Sequence, residues 1–93
     1  ARAGFDPVWR LPFHDAYESV IEPGIADLDN APGYGFAGSI TAALFLRRFA
    51  DHARYMHFDI YGHSPSDAPA RPKGGVGQGA RAVLGALPAI LGI

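Results

Sequence analysis

Cysteine is absent from the 93 residues, which excludes a disulfide framework and any thiolate metal site and fits a reducing compartment. Charge is scarce as well: 18% of residues are charged, and eight basic against nine acidic side chains leave −1 at neutral pH. A typical domain carries ~25% charged residues, and binders of nucleic acid or anionic membrane normally show a basic excess. That excess is missing. The longest apolar run, Ile40 to Leu46 with Thr41 counted as neutral, falls far short of the ~18 residues a membrane span needs. No charged region followed by an apolar stretch opens the chain, so no signal peptide is expected, and a start at Ala1 suits a processed or excised product.

What is present is apolar and glycine-rich. Hydrophobic residues make up 48% of the chain, which rules out a solvated disordered tail. The length allows one small domain, able to bury roughly 60–70% of its unfolded surface. Twelve glycines and eight prolines exceed the average share and gather in Pro32-Gly33-Tyr34-Gly35 and between Ser64 and Gly79. Both read as long connections, which in compact domains are usually functional or disordered. Ala82 to Ile93 is uncharged but broken by Gly85, Pro88 and Gly92, so a buried helix fits better than an anchor.

Four segments have the pattern of regular structure. Phe13 to Ile21 is predicted as a helix begun after Pro12 and stopped by Pro23, with Phe13, Tyr17, Val20 and Ile21 on one stripe. Ser39 to Ala50 is the strongest helix, with Ser39 as N-cap and Arg47-Arg48 placed to complement the C-terminal dipole. Tyr55 to Tyr61 is nearly continuous in apolar content and predicts a strand buried on both faces, as in parallel sheets. Gln78 to Leu87 predicts a third helix ending near Pro88. Such a strand needs neighbours, and only Ile25 to Asp29 offers one. The chain therefore reads as part of a larger sheet domain.

The motifs are individually weak. Gly75-Val76-Gly77-Gln78-Gly79-Ala80 matches the G-x-G-x-x-G/A dinucleotide fingerprint in form, yet Ala70 to Lys73 before it is no strand and no acidic residue follows. A plain glycine-rich approach to a helix is preferred. His57, Asp59 and Tyr61 alternate on one face of the predicted strand with His63 after it, a possible metal set that lacks a recognisable third spacing. A satisfied core histidine and a loop-bonding aspartate are the favoured alternatives. Asp27 and Asp29 flank Leu28 as candidate paired carboxylates, but such pairs more often solvate an edge or cap a loop. None of Ser19, Ser39, Ser64 and Ser66 sits in a G-x-S-x-G elbow.

The order of the segments is more telling than any one of them. Trp9-Arg10-Leu11-Pro12, Ile25 to Asn30, Ala37 to Leu46, His57 to Gly62 and Gly74 to Arg81 follow in a series that resembles the C-terminal part of the leucyl (cytosol) aminopeptidase family. The resemblance spans about 75 residues. It implies an α/β fold, namely a C-terminal fragment (residues 1–93) of a mixed-sheet metallo-exopeptidase domain with three helices and one or two strands. It further implies a cytoplasmic enzyme, hexameric in its parent form, that removes N-terminal residues from peptides using two divalent ions, zinc or manganese. Such ions polarise the scissile carbonyl and activate a bridging water.

The family's metal ligands, catalytic lysine and arginine, and Asn-Thr-Asp-Ala-Glu-Gly-Arg signature lie upstream of this region. This chain has one lysine, Lys73, and two glutamates, Glu18 and Glu22, outside any such motif. No catalytic and no metal-binding residue is therefore assigned, and the fragment alone is expected to be inactive and metal-free. By position, the resemblance places Ala31, Tyr61 and Ser64 along the hydrophobic specificity pocket. Tyr61 stands where the family usually has a small residue, and Tyr55-Met56-His57 replaces its Trp-Ala-His. The expected partners are peptide substrate, the upstream part of the same enzyme and further copies of the parent. Membrane is not expected, and nucleic acid is disfavoured by the charge. The alternative is an autonomous non-catalytic module that binds a small ligand or peptide. Unpaired strand edges also predict self-association of the piece alone.

Overall fold

A computed structural model describes residues 1–33 and 35–93, so Tyr34 of the first glycine–proline cluster lies outside the described residues. Two units divide the chain: Arg10–Asp59, and Ala1–Trp9 together with Ile60–Ile93. Among the described residues three helices and one two-stranded antiparallel sheet are formed, in keeping with the expected α/β fold. The strands, however, arise from other residues than expected.

In the Arg10–Asp59 unit the first helix is a 3-10 helix, Asp15–Ile21, rather than an α-helix from Phe13. Pro12 and Pro23 leave too few residues between them for a self-supporting α-helix. In the tighter winding, side chains three apart eclipse, which aligns Asp15 with Glu18. Of the predicted stripe only Ile21 is fully buried. Phe13 instead keeps partial exposure and meets the Tyr55 ring at 5.7 Å.

Helix α1, Gly38–Ala50, packs on this turn. Its cap is Ala37, in the left-handed region (φ 52°, ψ 40°), and not Ser39, which lies inside the first turn. Thr41 closes that turn by donating its hydroxyl to the Ala37 carbonyl at 2.7 Å. Ala43 and Leu44 face inward, Leu44 with no exposure at all, while Arg47 and Arg48 occupy the last turn as expected. Tyr55 anchors the following segment by donating its hydroxyl to the Ala43 carbonyl at 3.0 Å.

Neither Tyr55 to Tyr61 nor Ile25 to Asp29 is a strand. A strand exists only where a neighbour satisfies its backbone along a ladder. Neither segment joins one among the described residues, although the Asp29 amide donates to the Ile21 carbonyl at 2.8 Å. Their apolar side chains consequently stand open: Ile25, Met56, Phe58 and Ile60 are all exposed.

In the other unit β1, His63–Ser64, pairs with β2, Gly74–Gly75, placing His63 opposite Gly75 and Ser64 opposite Gly74. Between them Ala68 and Arg71 exchange two backbone hydrogen bonds of 2.9 Å around a tight turn. Helix α2 covers Ala80–Leu91 and runs through Pro88 instead of ending there. Its stop is Gly92, whose φ of 72° provides the left-handed termination that glycine adopts without penalty. Gly79 precedes α2 with no side chain to cap it, and the orphan amides are met from far away. Asp6 Oδ2 accepts from the Arg81 and Ala82 amides at 3.0 and 3.1 Å. Among the described residues no helix is long and apolar enough to cross a membrane.

Candidate functional site

A hydrogen-bonded loop brings together Tyr61, Gly62, His63 and Ser64 with the glycine-rich run. Gly62 takes φ of 68°, a conformation open to glycine, and lets the chain turn between two aromatic rings. Both its backbone groups are held by the run opposite. Its amide donates to Gln78 Oε1 at 2.9 Å, and its carbonyl accepts from the Val76 amide at 3.0 Å. Tyr61 projects from this clamp with 76% of its surface exposed, its ring set edge-on to His63 at 6.1 Å. Ser64, half-buried in β1, donates its hydroxyl to the Ser66 carbonyl at 2.9 Å. Asp67 fixes the far end of the loop by accepting from the Lys73 amide at 2.7 Å.

Two of the three pocket residues expected from the sequence, Tyr61 and Ser64, thus share one clamped loop. The third, Ala31, belongs to the Arg10–Asp59 unit, where its amide donates to Asp29 Oδ1 at 2.9 Å. That bond commits Asp29 to a local turn, as the plainer reading of Asp27 and Asp29 expects.

The glycine-rich run is no dinucleotide loop. Gly74 and Gly75 form β2, Gln78 is committed to Gly62, and the N-terminus of α2 already holds a carboxylate. A helix N-terminus attracts anions because its first amides lack partners. Here Asp6 supplies the anion, and its carboxyl is held below the usual carboxylate range. The backbone amide of Gly79 is foremost in lowering it, partial desolvation opposes, and the amides of Ala82 and Arg81 and the Arg81 charge lower it further.

Nor do the residues fit a two-ion centre. No group of three His, Asp or Glu side chains able to hold a metal exists among the described residues. Asp59 and His63 are exposed. His57 departs from the satisfied core histidine expected of it: its Nε2 is buried with no hydrogen-bond partner.

An ion-pair network went unread in the sequence. Arg47 Nη2 donates to Asp15 Oδ1 at 2.8 Å and to Glu18 Oε1 at 2.7 Å. Arg48 Nη2 reaches Glu18 Oε2 and Glu22 Oε1, both at 2.6 Å. Burial pushes the Glu18 carboxyl up, but the hydrogen bonds and charges of Arg47 and Arg48 outweigh it and leave the group below its usual range. Arg47 also lies 5.2 Å over the Phe13 ring. Beside the network is an open cavity of about 410 Å³ lined by Glu18, Arg47, Arg48, Asp51, His52 and Ala53. With both guanidinium groups engaged, it has little capacity for a further anion. The spacing of Asp15, Glu18 and Glu22, at 0, +3 and +7, was the available signal, since it is that of one helical face.

The model for the cytosol aminopeptidase family, catalytic domain, matches residues 1–84. Among curated relatives, probable cytosol aminopeptidase 1 of Shewanella oneidensis is 42% identical over 78 residues, covering 82% of this chain and 16% of its own length. The probable cytosol aminopeptidase of Caulobacter vibrioides is 45% identical over 83 residues, 86% of this chain and 17% of its own. That of Chlorobium luteolum is 42% identical over 86 residues, 90% of this chain and 17% of its own. The chain therefore spans about a sixth of the length of the relatives it matches. No solved structure matches it.

Proposed function

Because this chain belongs to the cytosol aminopeptidase family, we propose that it is the C-terminal segment of a two-metal enzyme that removes N-terminal residues from peptides. One observation carries the reading: a match over residues 1–84 to the catalytic domain, in a chain a sixth the length of its relatives. The exposed apolar side chains support it, since Ile25, Met56, Phe58 and Ile60 would then face the rest of a larger sheet domain.

In this reading the segment contributes part of the pocket wall and none of the bond-breaking groups. Tyr61, Ser64 and Ala31 line the space for the substrate's N-terminal side chain, with the Tyr61 ring limiting its depth. The two ions, zinc or manganese, belong to the parent and are held by residues outside this chain. The parent is a cytoplasmic homo-hexamer, and the isolated piece is inactive.

Assay of the purified 93-residue chain with leucyl and alanyl peptides, alongside metal analysis, tests this. No turnover and no stoichiometric zinc or manganese are expected, and two ions per chain or measurable hydrolysis would overturn it. Mass spectrometry of the native gene product separates the alternative. A parent of several hundred residues supports the segment reading, and a native product of this length supports an autonomous non-catalytic binding module.

A further inference from the structure

We infer that Gln78 is a positioning residue for the specificity pocket, acting through Gly62 to hold the Tyr61 ring in place; this rests on the pocket reading of Tyr61 given above. The geometry is that of a two-point clamp. Gly62 has a single amide and a single carbonyl, and residues 76–78 engage both, at 2.9 Å through the Gln78 side chain and at 3.0 Å through the Val76 amide. The Val76 contact is backbone to backbone and tolerates any side chain. The Gln78 contact depends on one amide oxygen at one reach.

Tyr61 itself is three-quarters exposed and has little packing to fix its direction. Its orientation is set chiefly by the backbone of its neighbour Gly62, whose φ of 68° is one of several open to glycine. Removing the Gln78 acceptor frees Gly62 to change conformation, and the ring moves with it. Gln78 touches neither substrate nor reacting atoms in this account. Its effect is on which N-terminal side chains are accepted.

The test uses the full-length enzyme carrying this segment and compares kcat/KM for peptides with leucyl and alanyl N-termini. Gln78→Asn shortens the side chain by one methylene and leaves the oxygen out of reach, while Gln78→Glu keeps an acceptor at the same reach. Tyr61→Ala is the reference, expected to widen the range of side chains accepted. Gln78→Asn should shift the leucyl-to-alanyl ratio in the same direction as Tyr61→Ala, by roughly three- to tenfold, the loss expected for one hydrogen bond. The shift should lie in KM, and Gln78→Glu should restore the ratio to within about twofold.

If Tyr61→Ala moves the ratio and Gln78→Asn does not, the positioning role is overturned and the pocket reading stands. If neither moves it, the pocket reading fails and takes this inference with it. An equal loss for both substrates, with the ratio unchanged, would show a merely structural role and overturn it too.

Discussion

Adding one methyl group at Gly4 should release the N-terminal segment from α2. A Cβ built there would stand 2.3 Å from the Arg81 carbonyl oxygen and 2.6 Å from its carbon, where ordinary contact begins near 3.4 Å. The segment must therefore retreat by about 1.1 Å, because the obstacle is helix backbone and cannot swing away. Two residues on, Asp6 holds the Arg81 and Ala82 amides at 3.0 and 3.1 Å, and a retreat of that size breaks both bonds. Overpacking of this kind costs about 1–3 kcal/mol, a factor of about 5 to 160 in the folded-to-unfolded ratio. Urea unfolding followed by circular dichroism reads the loss, and amide exchange at Arg81 and Ala82 reads its location. Gly24→Ala is the control, since nothing lies within 4 Å of a Cβ there. Equal stability of the two variants, with both amides still protected in Gly4→Ala, would refute the reasoning. Gly4→Ala and Asp6→Ala should also be non-additive, as each removes the same docking.

Three further outcomes rest on Asp6, on the buried Leu44 and on the exposed apolar groups. Asp6 has its folded carboxyl below the ordinary value of 3.8, so the unfolded chain binds the extra proton first. Its contribution is complete above that value and is lost as pH falls through the folded pKa; the stability gap between wild type and Asp6→Asn should be flat near neutrality and close in acid, and a gap that widened in acid would contradict it. Leu44→Ala, at a site with no exposure, should cost about 2–5 kcal/mol in thermal or urea unfolding, and a cost under about 1 kcal/mol would mean the α1 core is not formed. The isolated chain should self-associate through Trp9, Ile25, Phe49 and other exposed apolar groups rather than through long strand edges; light scattering that shows a clean monomer over a broad concentration range would count against this.

The helices were legible because their signals are local. Arg47 and Arg48 at the end of α1, and the apolar spacing of Ala43 and Leu44, need no knowledge of distant residues. Their ends were less so: Ser39 has the better capping chemistry, yet Ala37 turns the chain and Thr41 satisfies its carbonyl. Pro88 marks a helix end by propensity, and Gly92 one turn later is where the backbone reverses hand. The strand over Tyr55 to Tyr61 failed for a different reason. Apolar content records what a segment is suited to bury, whereas strand geometry requires a partner, and none lies within the described residues. The composition calls for neighbours, and the same residues stand exposed.

Asp6 and the glycine-rich run show why a single short motif carries less than the order of many segments. Gly75 to Ala80 has the letters of a phosphate-binding turn because the physical requirement is the same: a tight approach to a helix whose first amides need an anion. The chain meets that requirement with Asp6, 75 residues before Arg81, a distance no local pattern can register. Gln78, which a motif reading leaves as filler between glycines, does the most specific work in the run by holding Gly62. A six-residue pattern samples only the turn, so it is blind to which group fills the helix end. An ordered series of segments across the chain samples the long-range arrangement itself, because Asp6 can reach α2 and Gln78 can reach Gly62 only if everything between has the length and turns to return them. The match over residues 1–84 carries the family, while the six-residue pattern is the plain approach to a helix that its flanking residues indicate.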